Sequence, residues 1–216
     1  MKKHIIRYAS FALAILGMVS CSEEQETALR SQDAKSTPMT FLVSHPGQAT
    51  RATETSFEQN DRIGLYVADA KAQLEIGGNL VNNEALTYDG SKWAAARTLY
   101  WDKGTYTAYA YYPYLEDVSS ITDQPFSVVL DQSTAKSKEA LGGYEASDLL
   151  FASSKNISAS ASPIPLNFKH IMSKLKIRLI KGEDFEGDMP TTAQVTIHNT
   201  VPTATIDLQA GVATRY

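Results

Sequence analysis

Thr105-Tyr106-Thr107-Ala108-Tyr109-Ala110-Tyr111-Tyr112-Pro113 is the stretch on which the fold turns. Side chains along a strand point alternately to its two faces. Tyr106, Ala108, Ala110 and Tyr112 therefore share one side, and Tyr109 and Tyr111 the other. Aromatic residues and threonine suit a pleated surface, and Pro113 cannot continue the ladder. Upstream, Asp61-Arg62-Ile63-Gly64-Leu65-Tyr66-Val67 sets Ile63, Leu65 and Val67 on one side, and residues 39–43 do the same with Met39, Phe41 and Val43. Tyr88-Asp89-Gly90-Ser91-Lys92-Trp93 has the form of a hairpin, with Asp-Gly between aromatic ends. Weaker strand patterns occupy residues 80–88 and 98–101.

Downstream, Phe126, Val128 and Leu130 alternate, residues 131–147 form a long polar loop, and 148–152 is a short apolar strand. Residues 153–162 are rich in Ser and Ala and read as a loop. Leu166-Asn167-Phe168-Lys169-His170 leads into a strand over 172–180, whose Leu175, Ile177 and Leu179 would face inward while Lys174, Lys176 and Arg178 face water. Two further strands are expected over 195–198 and 203–208, and Gln209-Ala210-Gly211 is a turn that should feed another. No long helical period interrupts this series. Short strands with turn residues between them predict an all-β chain built as a β-sandwich. A sheet begun from Leu166 onward would lack its other half by Tyr216, and its open edges call for further chain or a partner.

The first twenty residues are of another kind. Lys2, Lys3 and Arg7 precede an apolar run of about a dozen residues, too short to span a hydrocarbon core that needs about 20. This is the pattern of an export signal, 1–20, cut between Ser20 and Cys21. Met18-Val19-Ser20-Cys21 resembles a bacterial lipobox, in which the cysteine thiol is lipidated, and Cys21 is the chain's one cysteine. Several acyl chains, palmitate among them, would tether the protein permanently where a single chain would not. Ser22-Glu23-Glu24-Gln25-Glu26 resembles the acidic signal that sends lipoproteins of Bacteroidetes to the outer face of the outer membrane. Residues 21–38 read as a flexible tether. Losing the leader removes three of the 20 basic residues and none of the 24 acidic ones, leaving a net charge near −7. Such a chain has no electrostatic footprint for nucleic acid.

Catalytic chemistry finds no foothold. His4, His45, His170 and His198 are far apart in sequence and fit no metal-ligand spacing, and the chain lacks Gly-x-Ser-x-Gly, a P-loop and Gly-x-Gly-x-x-Gly. Asp131-Gln132-Ser133 and Ser147-Asp148 are turn formers. No catalytic residue, cofactor or metal is expected, and the chain is not expected to be an enzyme. Tyr109 and Tyr111 have two readings: they fill a core, or they form an exposed platform on which sugar rings stack, as in a surface glycan-binding lipoprotein.

An ordered set of motifs supplies a resemblance. Phe57-Glu58-Gln59-Asn60-Asp61-Arg62-Ile63-Gly64-Leu65-Tyr66 resembles the Phe-x-x-x-Asp-x-Ile-Gly-Leu-Tyr segment of the fimbrillin-like proteins. Tyr88–Trp93, Tyr106–Tyr114, Asp131-Gln132-Ser133, Ser147-Asp148-Leu149-Leu150-Phe151-Ala152 and the segment from Leu166 to Leu175 follow in that family's order. The resemblance implies transthyretin-like β-sandwich domains, with residues 39–163 the first and 164–216 the opening strands of a second, partial one. It also implies a stalk, tip or anchor subunit of surface fimbriae that mediates adhesion. Its partners would be other fimbrial subunits or copies of itself, joined by β-strand addition, together with the outer membrane through the lipid and surface glycans or proteins. In this family a protease is thought to remove the first strand after an arginine. Arg51-Ala52, in the polar stretch after residues 39–43, is then the candidate processing site, with Arg30 as the alternative.

Overall fold

In a computed structural model, residues 37–47, 56–193 and 195–215 are described. They form eleven strands: β1 (Phe41–Ser44), β2 (Arg62–Asp69), β3 (Val81–Tyr88), β4 (Trp93–Ala95), β5 (Thr105–Tyr112), β6 (Gln124–Ser127), β7 (Leu150–Ser158), β8 (Ile164–Asn167), β9 (Lys169–His170), β10 (Thr203–Asp207) and β11 (Val212–Arg215). One turn of 3-10 helix, Glu145–Ser147, precedes β7. The chain is all-β, as the alternation requires.

Six strands make an antiparallel sheet in the order β4-β3-β2-β5-β7-β9. Its centre holds the tyrosine-rich strand β5. β5 pairs with β2 on one side and β7 on the other, and every residue from Tyr106 to Tyr112 is buried. Both faces of this sheet are covered. On one, the parallel pair β1–β8 closes a core of Met39, Ile63, Leu65, Val67, Leu86, Ala108, Ala110, Ile164, Leu166 and Phe168. On the other, the three-stranded sheet β11-β10-β6 encloses Tyr66, Tyr109, Tyr111, Phe126, Ile206 and Leu208. Stacking two covers on a central sheet lets one strand bury alternate side chains in both directions.

Local chemistry sets the turns. Tyr88 pairs with Trp93, and between them Asp89 Oδ1 accepts the N–H groups of Ser91 and Lys92 while Gly90 takes φ +97°. Gly64 stands opposite Tyr111, and a Cβ there would lie 2.3 Å from the tyrosine ring, so glycine lets the ring lie flat across β2.

Three expectations differ from the structure. Residues 153–158 belong to β7, not to a loop: their backbone pairs with β5, Thr105 opposite Ser158 and Tyr106 opposite Ile157, although the side chains carry little alternation. Residues 98–101 contribute a single bridge, Tyr100 to Pro38. Residues 172–180 and 195–198 join no ladder among the described residues. The Ile171 N–H donates to the Leu149 carbonyl at 3.0 Å, and the chain then leaves the sheet. With no strand beside them, Leu175, Ile177 and Leu179 are exposed instead of facing inward. Two ladders join residues 39–163 to residues 164–216: β8 pairs with β1, and β10 with β6. The physical reason is burial on each face: Ile206 and Leu208 cover Tyr66, Tyr109 and Tyr111, while Ile164 and Leu166 share the first core with Met39.

Candidate functional site: the seat of the first strand

β1 is a strand of four residues whose side chains divide by alternation. Met39, just before it, is buried; Phe41 and Val43 are half-buried against the first core; Leu42 is 64 % exposed. Its ladder runs parallel to β8, from Phe41 opposite Ile164 to Ser44 opposite Asn167. The Ile164 N–H donates to the Thr40 carbonyl at 2.8 Å and the Phe168 N–H to the Ser44 carbonyl at 3.1 Å. The Ser44 hydroxyl adds a bond to Asn167 Oδ1 at 2.7 Å.

On the other side, among the described residues, the chain is held at its start. The Met39 N–H donates to the Leu99 carbonyl at 2.8 Å, and the Trp101 N–H to the Thr37 carbonyl at 3.0 Å. Beyond that point β1 and β4 part, and a cleft of about 340 Å3 opens between them, lined by Met39, Phe41, Trp93 and Leu99. Among the described residues β1 is thus an edge strand whose inner side chains complete a core while its far edge joins no ladder. An extended segment can add to a strand edge of this kind through its backbone, with alternate side chains set in apolar places.

A polar cluster gathers where the chain leaves β1. Asp61, only 3 % exposed, accepts the Glu58 N–H at 2.7 Å and the Lys136 ammonium at 2.6 Å, with the Tyr112 hydroxyl at 3.4 Å. Lys136 also reaches Glu58 at 3.2 Å. Burial opposes the ammonium charge, but the bonds to Asp61 and Glu58 outweigh it and hold Lys136 above its ordinary value. Burial first, and the Asp61 charge next, push the Tyr112 hydroxyl far up, so it stays protonated. Beside this group, His170 Nδ1 lies 2.7 Å from Asp148 Oδ1, and the His45 ring stands 5.9 Å from that of His170. The sequence offered no pattern for this grouping, since His45 and His170 are separated by most of the chain. The pairing of Ser44 with Asn167 in a parallel ladder is what brings them together.

The remaining expected site residues fall elsewhere. Ser20, Cys21, Arg30, Arg51 and Ala52 lie outside the described residues. Tyr109 and Tyr111 are 8 % and 2 % exposed, inside the second core. The Tyr111 hydroxyl donates to Asn83 Oδ1 at 2.6 Å, and burial pushes it well above the usual phenol range. Tyr66, between them, is pushed up to about 12 by burial. The tyrosine faces are taken up by Phe126, Ile206 and Leu208 and present no open stacking platform. Among the described residues, no group of three or more His, Cys, Asp or Glu is arranged to hold a metal.

Solved structures place the fold first. A protein from Bacteroides uniformis, provisionally described as a cell adhesion protein, superposes with a TM-score of 0.57 at 20 % identity, over 83 % of this chain and 66 % of its own. A similarly described protein from Bacteroides ovatus superposes with a TM-score of 0.51 at 19 % identity, over the same shares of the two chains. The architecture is therefore an all-β one already seen in such proteins. Residues 50–216 match the fimbrillin-like family, and the chain belongs to that family. A curated relative, Fim1C of Bacteroides ovatus, provisionally named a fimbrium tip subunit, is 26 % identical over 191 residues. That match covers 81 % of this chain and 35 % of the relative, so the chain spans about a third of the length of the curated protein it matches.

Proposed function

We propose that this chain is a structural subunit of surface fimbriae, exported as a lipoprotein on Cys21 and assembled by strand exchange once β1 has been cut away. Family membership and the likeness to a protein named for the fimbrium tip support the fimbrial role. The observation that carries the assembly step is the seat of β1: four residues, one parallel ladder, a far edge unpaired among the described residues, and three apolar side chains that complete a core.

The energetics favour exchange over simple loss. Fully burying a large apolar side chain is worth about 1.5–3 kcal/mol. Emptying the places of Met39, Phe41 and Val43, the last two half-buried, therefore costs several kcal/mol, a large share of the 5–15 kcal/mol that holds a typical domain together. The emptied seat would also leave β8 backbone groups unpaired in an apolar setting. A neighbour's strand with matching alternation restores both terms, so a cut subunit has strong reason to take one up.

Arg51-Ala52 is the proposed cut, with Arg30 the alternative. Both lie on the C-terminal side of Cys21, so either cut parts the folded domain from its lipid, but only the cut at Arg51, which follows β1, also frees that strand. A stalk or tip subunit would then lose the tether, and an anchor would keep it. The surface of the outer membrane and the fimbrium are the proposed locations, and other fimbrial subunits or further copies of this chain the proposed partners. The test is to express the full chain, treat it with an arginine-specific protease, and follow polymer formation by size. Arg51→Ala is expected to keep the chain monomeric under treatment that polymerises the parent. Polymers unchanged by that substitution would reject the site.

A further inference from the structure

The polar cluster at the exit of β1 has a use that strand pairing alone does not require. His45 is the first residue after β1, and its ring is wedged edge-on against Phe57 at 4.8 Å and His170 at 5.9 Å. Its Nδ1 accepts the Gly47 N–H at 3.2 Å. An imidazole nitrogen that accepts carries no proton, so this arrangement holds the neutral ring. A proton on Nδ1 would set two donors against each other.

The charged groups facing His45 come from several elements. Glu58 and Asp61 lie before β2, Lys136 and Glu145 in the loop that follows β6, Asp148 ahead of β7, and His170 in β9. Three of the acids are already engaged: Asp61 and Glu58 hold Lys136, and Asp148 holds His170. Burial and the neighbouring His170 accordingly keep His45 below the ordinary histidine value of 6.5, against the opposing pull of Asp148 and Asp61. The sign follows directly. A released His45 takes a proton near its ordinary value, and the seated one resists. Just below that pH the released state binds more protons, so acid favours release and the stabilisation is fully present only above it.

We propose that His45, set against His170, is an acid-sensitive latch on β1: neutral, it keeps the end of the strand in its seat, and protonated, it lets β1 part from β8 while the central sheet stays formed. The latch depends on the strand-exchange reading for its use and on the geometry of the cluster alone for its existence.

Amide exchange on the full, uncut chain tests it, measured at about pH 7.5 and about pH 5.5 to bracket the unperturbed histidine value of ~6.5 and corrected for intrinsic rates. Peptides covering β1 and β8 are expected to open severalfold more readily at the lower pH, while those covering β5 do not change. In His45→Gln the pH dependence disappears. His170→Gln, which keeps the His45 ring and removes its like-charged neighbour, reduces it, and serves if the first variant folds poorly. Equal acceleration in β1 and β5, or a pH effect that survives in both variants, overturns the latch. Polymers indifferent to Arg51→Ala together with acid-opened β1 would reject the cut at Arg51 and leave the latch standing.

Discussion

The two covers of the central sheet are built to different standards. On one face, β10 lies between β6 and β11 in antiparallel ladders, and Ile206 and Leu208 are 0 % and 1 % exposed. Its turn is tied by Asp207, whose carboxylate accepts the N–H groups of Gln209 and Ala210. Gly211, at φ +68°, closes that turn so tightly over Phe151 that a Cβ would sit 2.0 Å from the ring. On the other face, β1 has one parallel ladder, half-buried side chains and an open cleft beside it. The lesson is that one sheet can carry a cover tied by antiparallel ladders on one face and a cover that rests on a single parallel ladder on the other.

That contrast can be broken by substitution. The largest effect is expected from Ile206→Ala, which empties a fully buried position in the tighter cover. It should cost about 2–5 kcal/mol and lower the midpoint of urea unfolding followed by tryptophan fluorescence. Phe41→Ala should cost less, about 1–2 kcal/mol, because the ring is only partly withdrawn from water. A cost equal to that of Ile206→Ala would mean that β1 is as firmly built in as β10. Leu42→Ser, on the exposed side of the same strand, should shift stability by no more than about 0.5 kcal/mol. A larger loss would place a further contact on the outer side of β1.

Much of the fold was legible because alternation is a local signal. β2 and β5 announced themselves by the residues they place on each face, and the division of Tyr106 and Tyr112 from Tyr109 and Tyr111 matches the two cores. Alternation does not say what lies above a face. It could not show that Ile206 and Leu208, about a hundred residues further on, cover the two tyrosines. Nor does it say that a ladder partner exists. Residues 172–180 alternate cleanly and have none among the described residues, whereas Ser153–Ser158 of β7 alternate poorly and pair with β5 through their backbone. For the site, the strand Met39–Val43 was visible as a pattern, but its role as an edge is a property of register. The grouping of His45, Asp61, Lys136, Asp148 and His170 is a property of topology, with no trace in local spacing.

The extended stretch beyond Ile171 carries a colloidal consequence. Leu175, Ile177 and Leu179 stand 69, 48 and 53 % exposed on one side of it, in the arrangement that makes chains stick to one another. Lys174, Lys176 and Arg178 alternate with them, and cations in such places act as gatekeepers. Their mutual repulsion reaches about 10 Å at 0.1 M salt and only about 3 Å at 1 M, whereas apolar attraction survives the salt. Raising the salt is therefore expected to weaken this local repulsion and let such stretches of neighbouring molecules cohere.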